Sequence, residues 1–463
     1  MVSEQRPPTP AGQLARILGR TDHLSVDGDG RLLIEGCPAG ALLEDHGSPL
    51  YVISEATLRA NVRRIATAFT SCWPEEVTVL YAIKANNNLA IRAVMHQEGA
   101  GGDCFGEGEF YATFAGGADP AKVVLNGSNK SPELIRKAVA RGVTINIDAG
   151  DELALIEGSA AELGTTARVK LRLKVISEAY NDIVTDYFGG DRLADYVRRA
   201  KWGFSTEAAG PLVSRILASP WMDLVGYHFH IGRTSASIRF GRFWADALSG
   251  AVIGLQRQTG FSPKVLNVGG GWPRERDPES RSLELNQTPV EEYASVVCST
   301  LRRGLAAAGL PIPRLWLEPG RFIVGNAVVL LARVGAIKRD FDLTWVNLDA
   351  STNNLMRIDT SRSAHHIFPA TGMNREAAEH VIVVGETCID SVFSPDCLMP
   401  PLERGEPIAI LDAGMYAETA STQLNGIPRP ATILVSGTSS DLVKEREKVE
   451  DVFAKHRLPD RLR

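Results

Sequence analysis

Eight short apolar runs alternate with amphipathic segments between residues 77 and 321, and this alternation limits the fold more than any other feature of the chain. The runs are VTVLYAIK, GAGGDCF, KVVLNGS, VTINIDA, RVKLRLK, LVGYHFHIG, KVLNVGGG and RLWLEPGR. Largely apolar strands that alternate with helices are typical of a parallel sheet covered by helices. Eight such repeats favour an α/β fold of the closed (β/α)8 TIM barrel type over an open sheet.

The sequence changes character after Arg321. Runs rich in Val and Ile, such as VVLLARVGAIKR, HVIVVGETC and ATILVSG, recur without long helical spacers, which is typical of an antiparallel β domain. Two strand-like pieces, RLLIEG and PLYVIS, precede the barrel. We therefore expect residues 1–53 to contribute strands to the β domain, residues 54–322 to form the barrel, and residues 323–463 to form the C-terminal β domain. The polar insertion SEAYNDIVTDYFGGD is expected to be a loop at the barrel rim.

Composition excludes several classes of partner. The 50 basic and 55 acidic residues give a net charge of -5, and no long basic run suggests a nucleic-acid partner. No apolar run is long enough to span a bilayer, and the N-terminal MVSEQRPPTPAGQ lacks the apolar core of a signal peptide. The six cysteines form no CxxC pair, so we expect neither a metal site nor a disulfide framework. These features predict a cytoplasmic protein without nucleic-acid or membrane partners.

Polar residues follow the predicted strands at the end where barrel enzymes carry their active sites. They are Lys84, Asp103, His228, His230, Gly269, Gly270, Gly271, Glu318 and Arg321. A glycine triplet alone is better explained by a tight turn, but together with Arg321 it favours a phosphate site. A strand-terminal lysine, a phosphate site and a nearby acid are what pyridoxal phosphate requires. For either histidine alone, a hydrogen-bonded core residue is the simpler interpretation.

Six motifs then carry a resemblance to a known family. YAIKAN, HFHIG, NVGGGW, EPGRFIV, VVGETC and LDAGMY resemble, in the same order, the motifs of the fold type III, alanine-racemase-like, pyridoxal-phosphate-dependent decarboxylases. The resemblance runs from about residue 45 to residue 435 and is greatest to the diaminopimelate and ornithine decarboxylases. It implies pyridoxal 5'-phosphate as cofactor, an amino-acid substrate, and a homodimer with shared active sites.

The resemblance also assigns roles to residues. Lys84 matches the lysine that joins the cofactor covalently, His230 the histidine that stacks on its ring, and Glu318 the partner of its pyridine nitrogen. The phosphate contacts match Gly269, Gly270, Gly271, Arg321 and Tyr416, and Asp103 is grouped with the cofactor-binding residues. Cys388 matches a proton-donating cysteine that the family contributes from the neighbouring subunit, and Arg357 matches an arginine that holds a distal carboxylate. The catalytic set is therefore expected to be Lys84, His230 and Cys388.

Departures from the family pattern bear on the substrate. Ile389 stands where the family carries an acid that recognises a distal ammonium, with Asp390 one residue later, and Arg233 stands where the family has serine. An apolar residue cannot pair with an ammonium, whereas Arg357 and Arg233 favour additional carboxylate. An Arg233 that only pairs with a surface acid is an equally simple interpretation.

These residues lead to the hypothesis of a carboxylated or acylated diamino acid of specialised metabolism, such as a siderophore building block. Alternatives are a diaminopimelate, lysine or ornithine decarboxylase proper, a pyridoxal-phosphate-dependent racemase, and an inactive regulatory homologue. Release of carbon dioxide separates a decarboxylase from a racemase. Retention of Lys84, His230, Glu318 and Arg321 argues against an inactive homologue.

Overall fold

A computed structural model describes residues 8–182, 192–232 and 237–463. These residues form two compact units. The barrel unit comprises Asn61–Arg274 and Asn286–Phe322. The β unit comprises residues 8–60, Glu275–Leu285 and Ile323–Arg463.

The strands are β1 (Leu24–Val26), β2 (Leu32–Ile34), β3 (Cys37–Pro38), β4 (Leu50–Ser54), β5 (Val77–Ala82), β6 (Gly101–Cys104), β7 (Val123–Leu125), β8 (Thr144–Ile147), β9 (Ala167–Leu173), β10 (Met222–Phe229), β11 (Val265–Asn267), β12 (Arg314–Leu317), β13 (Val328–Asp340), β14 (Leu343–Leu348), β15 (Ile367–Pro369), β16 (Glu379–Val384), β17 (Val392–Met399), β18 (Pro407–Ile410), β19 (Ala431–Ser436) and β20 (Ser439–Lys444). The α-helices are α1 (Pro10–Ile17), α2 (Ala39–His46), α3 (Glu55–Thr70), α4 (Leu89–Gln97), α5 (Glu107–Ala115), α6 (Pro132–Ala140), α7 (Glu152–Leu163), α8 (Leu193–Arg199), α9 (Thr206–Ala218), α10 (Ile238–Thr259), α11 (Val290–Ala307), α12 (Arg321–Val324), α13 (Arg357–Ser361) and α14 (Val449–Phe453).

Strands β5 to β12 close into a barrel in which every neighbouring pair is parallel. Each of the eight predicted runs overlaps one of these strands, so the prediction of a (β/α)8 TIM barrel is confirmed. A buried apolar cluster of Leu80, Val124, Val265 and Trp316 lies on four of the strands. Polar side chains follow this cluster toward the carboxyl ends of the strands, and they form the site described below.

Helix α6 shows why the segments between the strands are helical. The Ser131 hydroxyl accepts a hydrogen bond from the Leu134 backbone N–H at 3.1 Å, and Pro132 occupies the first turn, where its missing N–H costs nothing. Leu134, Ile135 and Ala138 lie on one buried face. The sequence therefore both starts this helix and gives it an apolar side.

The β unit contains a large, mostly antiparallel sheet, so the predicted antiparallel β domain is also confirmed. Its central path is β17-β16-β14-β13-β4-β19-β20, and β18 pairs with β13 and β15. Strand β4 from the N-terminal part of the chain lies between β13 and β19 and is buried along its whole length. The β4–β19 and β14–β16 pairs are parallel. The N-terminal piece RLLIEG contains β2, which belongs to a separate three-stranded sheet, β1-β2-β3.

A buried ion-pair cluster joins three distant parts of the sequence within the β unit. The Arg276 guanidinium donates to the Asp22 carboxylate at 2.6 and 2.8 Å and to the Asp412 carboxylate at 2.8 and 3.2 Å. The three side chains are between 1 and 3% exposed. We call Arg276, Asp22 and Asp412 the buried ion-pair cluster.

The predicted rim insertion falls largely outside the described residues, since only its first part, up to Asp182, is described. None of the helices within the described ranges is long and apolar enough to cross a membrane.

Candidate active site

Lys84, which follows the first barrel strand, lies beside Asp103, an acid near the end of the second barrel strand. Lys84 is in a single 3-10 turn, Ile83–Ala85, directly after β5. Its side chain is 41% exposed, and its Nζ lies 3.8 Å from Oδ2 of the buried Asp103. An amine that is both accessible and next to a carboxylate can react with a ligand while its charge is compensated.

The loop after β12 packs closely against this lysine turn. The Ala82 backbone N–H donates to the Pro319 carbonyl at 3.1 Å. A Cβ at Gly320 would come within 2.9 Å of the Ala85 Cβ, so only glycine permits this approach. The backbone thereby fixes the lysine turn against the loop that carries Glu318 and Arg321.

Glu318 is buried and receives hydrogen bonds from residues on, or directly after, three other barrel strands, β7, β10 and β11. Its Oε1 accepts from Asn267 Nδ2 at 2.7 Å and from Asn126 Nδ2 at 3.1 Å. Its Oε2 lies 3.1 Å from His228 Nε2. Because a carboxylate only accepts, His228 carries its proton on Nε2. Burial lowers the pKa of His228 to about 4, so this histidine is a neutral donor at physiological pH.

The two buried carboxylates of the site have pKa values shifted in opposite directions. Burial, followed by the charge of Glu318, raises the pKa of Asp103 to about 7. Burial would also raise the pKa of Glu318, but the hydrogen bond from His228 and the positive charges of Lys170 and Lys84 hold that pKa below its ordinary value. Glu318 is therefore the ionised member of the pair.

An asparagine bridges these carboxylates. Asn126 Nδ2 donates to Asp103 Oδ1 at 2.6 Å as well as to Glu318, and its own Oδ1 accepts from Asn146 Nδ2 at 2.5 Å. Asp103, Asn126 and Asn146 lie on, or directly after, the successive strands β6, β7 and β8, and Glu318 follows β12, so closure of the barrel assembles the network.

The glycine triplet forms a cradle after β11. Gly269 and Gly271 have φ values of +68° and +86°. A Cβ at Gly269 would lie 2.7 Å from both His230 Nδ1 and the Phe229 carbonyl, and one at Gly270 would overlap the Glu318 carbonyl. No side chain fits there, which leaves backbone surface for an anionic ligand.

The same triplet orients His230. The Gly270 N–H donates to His230 Nδ1 at 3.2 Å, so this nitrogen acts as an acceptor. Burial and the positive charges of Lys84 and Arg172 lower the pKa of His230 well below its ordinary value. His230 is therefore a neutral ring held in a fixed orientation beside the triplet.

These residues fit a phosphorylated aldehyde with a basic ring nitrogen. Lys84 offers the amine, the Gly269–Gly271 backbone and the buried Arg321 offer an anion site, and the ionised Glu318 offers a partner for a protonated nitrogen. Among residues 8–182, 192–232 and 237–463, no group of three or more His, Cys, Asp or Glu side chains could hold a metal ion.

The other predicted site residues that the structure describes belong to the β unit. The Arg357 guanidinium lies 5.3 Å above the ring centroid of Tyr416, which has a φ of +54°. Cys388, Ile389 and Asp390 are consecutive and exposed, and the Cys388 backbone N–H donates to Asn425 Oδ1 at 3.1 Å. Arg233 lies outside the described residues.

Sequence reasoning missed several polar residues of the barrel interior. Asn126, Asn146 and Asn267 complete the carboxylate network, and Lys170 lies next to it. The signal was present in KVVLNGS, VTINIDA and KVLNVGGG, where one asparagine interrupts or ends an apolar run. A polar residue two positions beyond an inward-facing apolar residue points into the same barrel interior.

A parallel barrel whose rim combines an accessible lysine, a glycine cradle and a buried ionised acid defines a class of enzymes that hold pyridoxal phosphate. Residues 56–325 match the model of the pyridoxal-dependent decarboxylase family, pyridoxal binding domain. The chain is 32% identical to the diaminopimelate decarboxylase of Methanothermobacter thermautotrophicus, over 95% of this chain and 98% of that protein. It is 33% identical to that of Archaeoglobus fulgidus, over 93% and 98%.

Solved structures agree with this match. The crystal structure of the M. jannaschii diaminopimelate decarboxylase in complex with L-lysine superposes with a TM-score of 0.86, at 29% identity, and covers 96% of this chain and 99% of that one. The chain belongs to the fold type III pyridoxal-phosphate-dependent decarboxylases. The expected cofactor, pyridoxal 5'-phosphate, and the expected carboxy-lyase activity are thereby confirmed.

Proposed function

We propose that this decarboxylase removes the α-carboxyl group from an amino acid that carries a second carboxylate at the far end of its side chain. Diaminopimelate is the member of this class to test first, because relatives that match over nearly the whole chain carry its name. The observation that carries the proposal is the Arg357 guanidinium, which lies 5.3 Å above the Tyr416 ring. A cation held on an aromatic face is a fixed partner for a carboxylate.

The proposed division of labour follows from the charges of the barrel residues. The cofactor supplies the electron sink for the pair left by the departing carboxylate. Glu318 stays ionised and holds a proton at the ring nitrogen, and neutral His228 keeps Glu318 in place by a hydrogen bond. With the cofactor bound, Lys84 would supply the amine, the glycine triplet and Arg321 would hold the phosphate, and neutral His230 would help to hold the ring. Asp103, whose pKa is raised to about 7, is only partly ionised at neutral pH and lies 3.8 Å from the Lys84 Nζ.

Ile389 favours a second candidate, in which the distal amine of the substrate is acylated or otherwise uncharged. The exposed Ile389 offers no acceptor to an ammonium group, and the exposed Asp390 follows it. The carboxylated or acylated diamino acids expected from the sequence belong to this candidate. The two candidates differ only in the distal nitrogen, since both place a carboxylate near Arg357.

The experiment is a substrate panel with carbon dioxide release as the readout. We expect meso-diaminopimelate or its N-acylated form to exceed L-lysine and L-ornithine in kcat/KM. Arg357→Gln should lower kcat/KM for the dicarboxylates about 10- to 100-fold, the equivalent of a charged hydrogen bond of about 1.5–3 kcal/mol, and leave lysine turnover unchanged. Arg362→Gln, an exposed arginine directly after the same short helix, is the matched control. Lysine turnover equal to that of the dicarboxylates would refute the proposal.

A gain-of-function variant separates the two candidates. Ile389→Glu restores an acid at this position and should raise kcat/KM for free diaminopimelate if an uncharged nitrogen is the natural ligand. An Ile389→Leu variant controls for the change of side chain. A wild-type enzyme that already prefers free diaminopimelate, with no gain from the glutamate, excludes the second candidate.

We also propose that the enzyme is a homodimer with shared active sites, in which the exposed Cys388 serves the partner's site as a proton donor. Lys84→Ala and Cys388→Ala variants, each impaired alone, should regain activity when mixed and reassociated, because about a quarter of the sites then combine two intact contributions. Mixtures that stay as impaired as their components would exclude sharing.

A further inference from the structure

A fully buried lysine lies inside the barrel and plays no part in the proposed function. Lys170 is in the middle of β9, where its register partners are Asn146 on β8 and Gly226 on β10. Its side chain has 0% exposure, and within the described residues its Nζ has no hydrogen-bond partner. A buried amine without an acceptor is costly, so its position calls for a compensating interaction.

The surroundings of Lys170 supply that compensation through charge and an aromatic face. Its Nζ lies 4.1 Å from the centroid of the Trp316 ring. Trp316 lies in β12 and Glu318 comes directly after that strand, two residues later, so both side chains point into the barrel and the amine lies in the layer next to the Glu318 carboxylate. The neighbouring Asn146 is hydrogen-bonded to Asn126, which bridges to the same carboxylate.

The charged groups that act on this amine come from several strands. Glu318 and Asp103 attract it, and Arg168 on its own strand repels it. Burial lowers the pKa of Lys170 to about 7 in spite of the two carboxylates, while Lys170 in turn lowers the pKa of Glu318. His228, Lys84 and Arg172 also act within this cluster.

We propose that Lys170 is a positioning residue that provides a buried positive charge to keep Glu318 ionised, so that Glu318 would hold a proton at the ring nitrogen of the bound cofactor. The inference rests on the proposed role of Glu318 as the partner of that nitrogen. Asn267, Asn126 and neutral His228 donate hydrogen bonds to Glu318, but none of them adds a positive charge, and two carboxylates bridged by Asn126 favour protonation of one or both. An apolar side chain would pack on Trp316 equally well, without the cost of burying an amine.

The test compares two neutral variants, Lys170→Met and Lys170→Gln, with wild type. The readout is the ¹⁵N chemical shift of the ring nitrogen in holoenzyme prepared with ¹⁵N-labelled cofactor, measured at about pH 6, where the amine is charged. We expect the protonated-to-unprotonated ratio to fall about tenfold for each pKa unit by which Glu318 rises. We also expect kcat to fall with little change in KM. The cofactor-free Lys170→Met variant should be at least as stable to urea as wild type, since it lacks a buried, unsatisfied amine.

Lys130 provides the matched control. It is an equally buried lysine of the barrel unit, but its Nζ pairs with Glu152 at 2.8 and 2.9 Å and with the Gly127 carbonyl at 2.7 Å. Lys130→Met should therefore lower the stability of the cofactor-free enzyme and leave the nitrogen signal unchanged.

The outcomes separate the two proposals. An unprotonated ring nitrogen in wild type refutes the role of Glu318 itself. A protonated nitrogen that is identical in wild type and both Lys170 variants overturns the role of Lys170 alone. Failure of both neutral variants to fold also overturns it, because Lys170 would then be a structural residue.

Discussion

Removal of Arg276 should destabilise the β unit selectively. Arg276→Met keeps the approximate volume of the side chain but leaves Asp22 and Asp412 buried without their cation. In wild type, burial would raise the pKa of Asp22, but the hydrogen bonds and charge of Arg276 hold it below its ordinary value. In the variant, burial is no longer offset by the guanidinium and raises the pKa of Asp22.

The size of the destabilisation follows from the burial of the Arg276, Asp22 and Asp412 side chains. Breaking a buried pair by deletion of one partner costs about 3–5 kcal/mol, because an uncompensated charge is left behind. The ion pairs of 2.6 and 2.8 Å between side chains no more than 3% exposed place Arg276 in this regime rather than among surface pairs. Asn326 Nδ2 still donates to Asp22 at 2.7 Å in the variant, which favours the lower part of the range.

The assay is native-state hydrogen exchange followed by mass spectrometry. Peptides from β4, β13 and β18 should exchange about two to three orders of magnitude faster, since about 1.4 kcal/mol corresponds to a tenfold change. Peptides from β5 to β12 serve as the internal control and should change far less. Arg276→Met combined with Asp22→Asn and Asp412→Asn should recover much of the protection.

The pH dependence of the stability provides an independent test of these ion pairs. Because the folded pKa of Asp22 lies below its unfolded value of about 3.8, its contribution to stability is present at neutral pH and is lost as the pH falls through the folded pKa. The difference between wild type and Arg276→Met should therefore be greatest near neutrality and shrink in acid. Unchanged exchange in the β unit, or an equal change in the barrel strands, would refute the reasoning.

Two further predictions concern the barrel site. Gly270→Ala places a Cβ on the Glu318 carbonyl and should weaken cofactor binding at least tenfold, as measured by equilibrium titration of the cofactor-free enzyme. Gly250→Ala, on the open side of a helix, is the control. Wild-type affinity in Gly270→Ala would contradict the proposal that the glycine triplet forms a cradle for the cofactor. Because the folded pKa of Asp103, about 7, exceeds its unfolded value, its contribution is present below pH 4 and is lost as the pH rises through 7. The urea midpoint of the cofactor-free Asp103→Asn variant should therefore fall less than that of wild type between these pH values. If the urea midpoints of the two proteins change in parallel with pH, the raised pKa of Asp103 is excluded.

The barrel and the polar residues at its rim were predictable because their signals are local. Each strand has its own apolar run, and Lys84, Glu318 and Arg321 come within four residues after such a strand, at the end where barrel enzymes act. The order of the strands around the barrel then follows from the sequence alone, since parallel strands joined by helices pair in sequence order.

The buried charges of the barrel were not predictable by the same means. Alternating polar residues in RVKLRLK resemble a strand with one solvent-facing side, yet in a closed barrel that side is the interior. The contact between Lys170 and Trp316, and the bridge from Asn126 to Glu318, depend on residues far apart in sequence. The substrate residues in the β unit were accessible only through family motifs, because no local pattern marks an arginine as a carboxylate ligand.

The central position of β4 has a consequence for synthesis on the ribosome. All eight barrel strands have been made once Leu317 is added, but β4 gains its second neighbour only with β19, whose last residue is Ser436. At about 5–20 residues per second, the nascent chain carries an unfinished sheet for roughly ten seconds after the barrel could close. During that interval an apolar strand has an open edge that other chains can join, so newly made protein is vulnerable to aggregation until β19 has been added.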